Sequence, residues 1–361
     1  MEVGRFSGTA AEWDEFARGQ QGFTHFHLYG WREVMDRVFG HECVYLAARH
    51  EGRLAAVLPL VRVRSAVFGH FLVSMPFVNY GGPLGSDEGI RAVAAAATEL
   101  AGRDAVKLLE LRCRQPIPTE LTVSHRKITV LLDLAETPDA TFKRFGAKLR
   151  SQIRRPQKEG VSVKFGATEL VPFYRVLARH MRDLGTPVQS RRLFEALAST
   201  FGDDVWFACA YLDGKPVAGG CGFRFGGEFE MTWAASLREY NRVSPNMLLY
   251  WATMERAIAE GLSTFNFGRC TPGSGTHRFK AQWGGRDEPL WWYGWSSGRA
   301  ATTPSPDDSA YSWGPRIWQR MTARAKPSDR RCPGGLGARE IAGRHAFEGQ
   351  SHLGGGEQQL V

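Results

Sequence analysis

Long apolar runs are missing from this 361-residue chain: nothing approaches eighteen consecutive hydrophobic residues, which leaves no candidate transmembrane helix. The first twenty residues carry Glu2, Glu12, Asp14 and Glu15 and no apolar stretch of the kind a secretory leader needs. Paired cysteines are missing as well. The six thiols (Cys43, Cys113, Cys209, Cys221, Cys270 and Cys332) are scattered without a C-x-x-C, so neither a disulfide framework nor a zinc site is expected. The expected compartment is the cytoplasm, and no metal is expected. Common catalytic signatures are absent too. The nearest approach to G-x-S-x-G is Pro272-Gly273-Ser274-Gly275-Thr276, His41-Glu42 lacks a second histidine, and no G-x-x-x-x-G-K-S/T loop occurs. Serine-hydrolase, zinc-protease and P-loop readings lose their support.

What is present is an ordinary globular composition, 43% hydrophobic and 23% charged, in a chain long enough for two cores. The formal net charge is +9, but the excess is local. Lys143 to Lys158 holds seven cations and no anion, residues 298–361 hold nine cations against six anions, and the remainder is close to neutral. Such a patch fits either a polyanionic partner or a solvated helix face. Its cations recur at i, i+4 (Arg144/Lys148, Arg150/Arg154, Arg154/Lys158). Like charges at that spacing repel by a few tenths of a kcal/mol per pair. Pro156 is expected to end or kink this helix and to expose Gln157 and Lys158.

The chain also echoes itself. Phe39-Gly40-His41-Glu42 closes a helical stretch and precedes a strand run, the turn Glu51-Gly52-Arg53 and a second strand. Phe201-Gly202-Asp203-Asp204 is followed in the same way by a strand, Asp213-Gly214-Lys215 and another strand. Gly40/Gly202 and Gly52/Gly214 share one interval of 162 residues, which also sets Pro83 opposite Pro245. Acid-Gly-base between alternating apolar runs is hairpin chemistry. A duplicated domain follows. In the second copy, helices over 168–183 and 191–201 lead to strands at 205–212, 216–225 and 228–235. Ser244-Pro245 then opens a helix to Glu260, and a short strand covers 264–267. The first copy has strands near 43–50, 54–63, 66–74 and 106–112, with a helix over 88–101. The expected domains are 1–132 and 133–297, with a variable tail over 298–361 that is polar enough to be disordered from about 325.

The segment Phe265-Asn266-Phe267-Gly268-Arg269, then Gly273 to Thr276, then Phe279-Lys280-Ala281-Gln282-Trp283-Gly284 sets a cation between aromatics after a strand and a Gly/Ser loop. A lysine fixed in apolar surroundings suits the oxyanion of acyl transfer. On spacing alone Lys280 also fits a solvated lysine at a strand end.

The run F-N-F-G-R … F-K-x-x-W-G resembles the C-terminal motif of Fem peptidyltransferases and of the related BioF-like acetyltransferase domains. Lys148 to Gly160 resembles the basic helix that enters their second domain, and together with Met181 to Pro187 it is similar to the FemAB-related proteins found beside exosortase (PEP-CTERM) and exopolysaccharide loci. The resemblance covers about residues 23–296. It implies an α/β (α+β) chain of two tandem GNAT-like domains, each a mixed, mostly antiparallel sheet flanked by helices. It implies attack by an amine on an activated acyl group, with Lys280 and Phe279 at the reacting carbonyl and Gly268 and Arg269 beside them.

One departure bears on the donor. Acetyl-CoA enzymes of this fold bind pyrophosphate on backbone amides of a Gly-bearing loop before a helix. The corresponding loop, Ser236 to Pro245, has no glycine and offers Arg238 and Arg242, while Gly81, Gly82 and Gly85 stand near the equivalent point of the first copy. With Arg150, Arg154, Arg155 and Lys158, these arginines are the candidate binding residues for a phosphate-bearing donor or acceptor. The candidates are tRNA, a nucleotide-sugar and a lipid-linked saccharide. No tightly bound cofactor is expected, the donor being aminoacyl-tRNA or acyl-CoA, and the acceptor an amine on an envelope or exopolysaccharide precursor. The rival readings are a CoA-dependent N-acetyltransferase of a small molecule or sugar, and a non-catalytic nucleic-acid-binding or scaffold protein. Because residues beyond about 325 lack the apolar content to join a core, deleting them should leave the melting temperature unchanged; a fall of several degrees in calorimetry would show that they pack.

Overall fold

The computed structural model describes residues 1–65 and 69–298. The expected tail therefore lies, from 299 on, outside the described residues. Two compact units emerge, one formed by Met1–Lys127 with the segment from Pro289, the other by Ile128–Glu288.

The first unit contains β1 (Glu2–Arg5), α1 (Ala10–Arg18), α2 (Gly30–Val34), β2 (Glu42–His50), β3 (Arg53–Ser65), β4 (Gly69–Ser74), β5 (Leu84–Gly85), α3 (Asp87–Arg103), β6 (Leu108–Cys113) and β7 (Thr122–Ser124). The second contains β8 (Ile128–Asp133), α4 (Pro138–Arg144), α5 (Ala147–Lys158), β9 (Ser162–Phe165), α6 (Leu170–Asp183), α7 (Arg191–Phe201), β10 (Val205–Leu212), β11 (Lys215–Phe225) and β12 (Glu228–Ser236). It continues with α8 (Pro245–Ala259), β13 (Thr264–Cys270), α9 (Gly275–Ala281) and β14 (Arg286–Pro289), and the chain ends its described part in β15 (Trp291–Ser296).

Each unit is a mixed sheet flanked by helices, and the two sheets have the same plan. Their orders are β1-β2-β3-β4-β6-β15-β7 and, read in the same sense, β9-β10-β11-β12-β13-β8-β14. Each has one parallel pair, β4 with β6 and β12 with β13, joined through α3 and α8. The turns repeat down to backbone detail. Glu51 and Gly52 (φ 49° and 78°) and Asp213 and Gly214 (φ 50° and 73°) make two-residue left-handed hairpin loops, the form that matches strand twist. Both hairpins carry a register shift, at Ala48/Arg49 and at Ala210/Tyr211, again 162 residues apart. The echo is looser at Pro83, because Ser86 caps α3 by accepting from Gly89, whereas Pro245 is the first residue of α8.

The unit boundaries differ from those expected at 132/133 and 297/298. The chain leaves the first unit at Lys127 and returns to it at Pro289. The cause is an exchange of equivalent strands. β8 pairs antiparallel with β13 of the second sheet, and β15 pairs antiparallel with β6 of the first. A short apolar run announces a strand but not its partner.

In the second unit, α5 and α8 cover one face of the sheet through Leu149, Ile153, Leu249 and Met254, in one core with Phe265 and Phe267 of β13 and with Trp283. Fully burying such side chains contributes roughly 1.5–3 kcal/mol each. A Cβ placed on Gly214 would meet nothing within 4 Å, so a side chain there is limited by its φ alone. Gly214→Val should destabilise by about 1–2 kcal/mol and Gly214→Asn, whose side chain tolerates the left-handed region, by clearly less. Urea unfolding of the two variants checks this, and equal losses would put the cause elsewhere.

Candidate active site

β12 and β13 pair in parallel only from Glu228↔Thr264 to Glu230↔Asn266, although β12 runs on to Ser236 and β13 to Cys270. β13 stays with β8, but between Asn266 and Arg269 it spends one residue more than its partner. That residue is accommodated by Gly268 in the left-handed region (φ 71°), as in a glycine bulge. Side chains hold the bulge. Asn266 Oδ1 accepts from the Gly268 N–H at 2.7 Å and from Thr129 Oγ1 at 2.6 Å. Asn266 Nδ2 donates to Glu228 Oε1 at 2.7 Å and to Glu230 Oε2 at 3.3 Å, and Thr232 Oγ1 donates to Glu230 Oε1 at 3.3 Å. Asn266, Glu230 and Thr129 are fully buried. Polar groups at that depth are costly unless satisfied, so the cluster stands only as a connected whole.

The bulge turns two carbonyls toward α9. Lys280 Nζ donates to Gly268 O at 2.7 Å and to Arg269 O at 3.0 Å. Lys280 is only 5% exposed and lies in the last turn of α9, so the expectation of a lysine at a strand end is corrected: Ser274, accepting from His277 N, starts a short helix there. Burial brings the ammonium down to about 8; Cys270 and Glu230 act upward and Arg269 further downward. His277 ties down the preceding loop. Its Nδ1 accepts from Gly273 N at 2.9 Å while its Nε2 lies 2.8 Å from Asp287 Oδ2. Phe279 is half-buried, with its ring edge-on to Tyr250 at 5.1 Å and beside Trp283. It packs into the aromatic cluster of this unit's core.

The basic stretch is not one helix. α4 and α5 are separated by Phe145 and Gly146, so Arg144 and Lys148 belong to different helices. Phe145 is buried against Trp251 and Trp283, which fixes the break. Pro156 does not end the helix: it is buried and α5 continues two residues further to Lys158, although Gln157 and Lys158 are exposed as expected. Lys143 is paired with Asp139 at 2.6 Å, Arg150 donates to Lys143 O at 3.4 Å, and Arg154 lies 5.0 Å over the Phe142 ring. Arg154, Arg155 and Lys158 are exposed, as are Arg238 and Arg242 on the β12–α8 loop. α5 packs on α8, and the loop before α8 is tied to α6 through Arg179 and Glu239 at 2.6 Å.

That loop spends its amides on itself. The N–H groups of Tyr240, Asn241, Val243 and Ser244 donate to carbonyls between Leu237 and Asn241. In the first unit the glycines answer to packing. A Cβ on Gly81 would come 2.4 Å from Met75 Cγ, on Gly82 2.4 Å from Cys113 Sγ, and on Gly85 2.2 Å from Ala55 O. No grouping of three His, Cys, Asp or Glu able to hold a metal occurs among the described residues, and no described helix is long and apolar enough to cross a membrane.

The structure thus brings Gly268, Arg269 and Lys280 together, while Phe279 packs on Tyr250 and Trp283. Sequence reading missed Asn266, Glu230 and Thr129. The signal was the alternation Glu-Phe-Glu in β12 and Phe-Asn-Phe in β13, which sends acids and an amide to the face opposite the apolar core.

Two sheets of this plan, each with one parallel pair joined by a helix, make the chain a tandem of GNAT-like domains. Residues 143–281 match the acetyltransferase (GNAT) domain family. The UDP-N-acetylmuramoylpentapeptide-lysine N(6)-alanyltransferase of Weissella viridescens is 26% identical over 135 residues, covering 35% of this chain and 40% of that protein. The aligned part therefore spans less than half the length of that relative. The crystal structure of FemX superposes with a TM-score of 0.62 at 14% identity, covering 81% of this chain and 97% of that one. A tandem GNAT protein from the clavulanic acid biosynthesis pathway gives 0.53 at 13% identity, covering 83% and 99%. The chain is similar to Fem-like acyltransferases of the GNAT type at low identity, and an acyltransferase is the class these similarities support.

Asn266 is the most connected group of the site. Asn266→Leu should cost about 2–4 kcal/mol by stranding buried partners, against about 1 kcal/mol for Thr129→Val, which removes a single bond. Equal losses in chemical denaturation would show that Asn266 does not organise the bulge.

Proposed function

We propose that this chain is a Fem-like N-acyltransferase that moves an aminoacyl or acyl group onto an amine of a cell-envelope or exopolysaccharide precursor. The observation that carries the reading is Lys280, a buried ammonium held on two carbonyls beside the point where β12 and β13 part. An ammonium has three N–H donors, two of which the carbonyls engage. In this reading the third is the donor that meets the oxyanion of the tetrahedral intermediate. Losing one such donor raises the barrier by about 3–4 kcal/mol. Gly268 and Arg269 serve through their carbonyls, and Arg269 also supplies positive charge. The Weissella relative is named for alanyl transfer to a lysine N6 of a nucleotide-linked pentapeptide, and an amine acceptor on a phosphate-linked carrier fits that pattern.

The donor we infer is aminoacyl-tRNA. The β12–α8 loop keeps its amides for its own turns, so it offers little to a compact pyrophosphate, while exposed cations on α5, Arg238 and Arg242 suit an extended phosphate chain. The reaction is placed in the cytoplasm, and the exosortase-associated branch is our finer assignment, resting on the motifs quoted above.

Two measurements test this. Lys280→Ala should lower turnover by about two to three orders of magnitude with folding preserved; undiminished turnover sinks the role. The triple change Arg150→Ala, Arg154→Ala, Lys158→Ala should weaken tRNA binding and flatten its salt dependence by up to about two to three units. Micromolar acetyl-CoA binding in calorimetry, unaffected by the triple change, would instead favour CoA-dependent N-acetylation.

A further inference from the structure

We infer that Lys280 is the proton carrier of the reaction as well as its counter-charge, taking the proton from the attacking amine and delivering it to the leaving group. This rests on the acyltransferase reading above.

The argument is one of valence. Lys280 Nζ has two fixed acceptors, Gly268 O at 2.7 Å and Arg269 O at 3.0 Å. A neutral amine has two N–H groups and one lone pair; an ammonium has three N–H groups. Both forms satisfy both carbonyls without moving the side chain. Only the remaining position changes, from a lone pair that accepts to an N–H that donates. Neither tether is an anion, so nothing bonded to Nζ locks it as a cation. The groups that act on its charge are Glu230 of β12 and Arg269 and Cys270 of β13, and they oppose one another. α9 also packs on β8, whose one ionisable group, Asp133, is engaged by Arg286 at 2.5 Å; on α9 itself His277 is engaged by Asp287 and Arg278 by Gly273 O. The resulting ionisation near 8 sits where a carrier can both gain and lose a proton at neutral pH.

The step balances. The amine nitrogen attacks the acyl carbon, the N–C bond forms and the carbonyl π pair moves to oxygen. The nitrogen, now positive, gives one proton to the Lys280 lone pair. As the carbonyl re-forms, the bond from carbon to the leaving oxygen (sulfur, for a thioester) breaks, and that atom takes a proton from Lys280. The products are an amide and a free hydroxyl or thiol, and Lys280 returns to its starting state.

The test uses the full chain. With 13C-labelled lysine, the Lys280 signal is the one missing from the spectrum of Lys280→Arg, and its titration is read directly. A midpoint near 8 is expected, and one above about 10, the ordinary lysine range, overturns the inference. With alanyl-tRNA and a lysine-bearing acceptor, Lys280→Arg keeps a cation and donors but cannot release a proton. It should lose about 10²–10⁴-fold in turnover, close to Lys280→Ala. Arginine activity within about tenfold of the parent would overturn the carrier role and leave the acyltransferase reading intact. Failure of the unaltered chain to transfer from alanyl-tRNA or acetyl-CoA would sink that reading, while the titration still decides whether Lys280 can carry a proton.

Discussion

One extra residue in β13, between Asn266 and Arg269, and one in β12, at Thr232, fall where the parallel ladder of the two strands stops at Glu230↔Asn266. The extra residue of β13 needs a left-handed backbone at Gly268, and the buried amide that results needs an acceptor. Asn266 Oδ1 supplies it from two residues away. The carbonyls of Gly268 and Arg269 are thereby left off the ladder and turned to Lys280. Bulge and buried lysine thus share one local constraint, and a β-branched residue at 268 would strain both by about 1–2 kcal/mol.

Much of the fold was legible. Strands and helices announce themselves through period and punctuation, and the acid-Gly turns of both hairpins declare the duplication on their own. What failed was partnership. Ile128–Asp133 is apolar enough to enter either sheet, and Trp291–Ser296 likewise, so the exchange of these strands had no local signature. Phe145 shows the same limit in a helix: Gly146 beside it is a weak point for helix, but the packing of Phe145 against Trp251 and Trp283 is what fixes the break there. The site was half legible. Lys280 stands out because a cation between aromatics is unusual, whereas Asn266 looked like one polar residue in a strand until the bulge gave its side chain a backbone partner.

The charge tells a similar story. As a string, Lys143 to Lys158 is an unrelieved run of cations. Folded, Lys143 has Asp139, Arg150 touches a carbonyl and Arg154 lies over Phe142. Exposed pairs of this type contribute little, on the order of 0–1 kcal/mol. Yet they orient the side chains, and what remains free to meet an anion is smaller and better defined than the count of charges suggests.

The two copies have kept one plan and parted in chemistry. In the first, the pairing of β4 with β6 ends at Val73↔Glu110, and the glycines that follow are there because Met75, Cys113 and Ala55 leave no room for a Cβ. Helix α3 opens with Asp87 and Glu88, which set negative charge where a phosphate would otherwise be drawn to the helix start. In the second, α8 opens on proline with no acid in its first turn, arginines precede it, and the sheet parts above a tethered lysine. Duplication supplies two sheets of one plan, and the charge around the helix that follows the parallel strand distinguishes them: acidic in the first turn of α3, with no acid in the first turn of α8 and arginines before it.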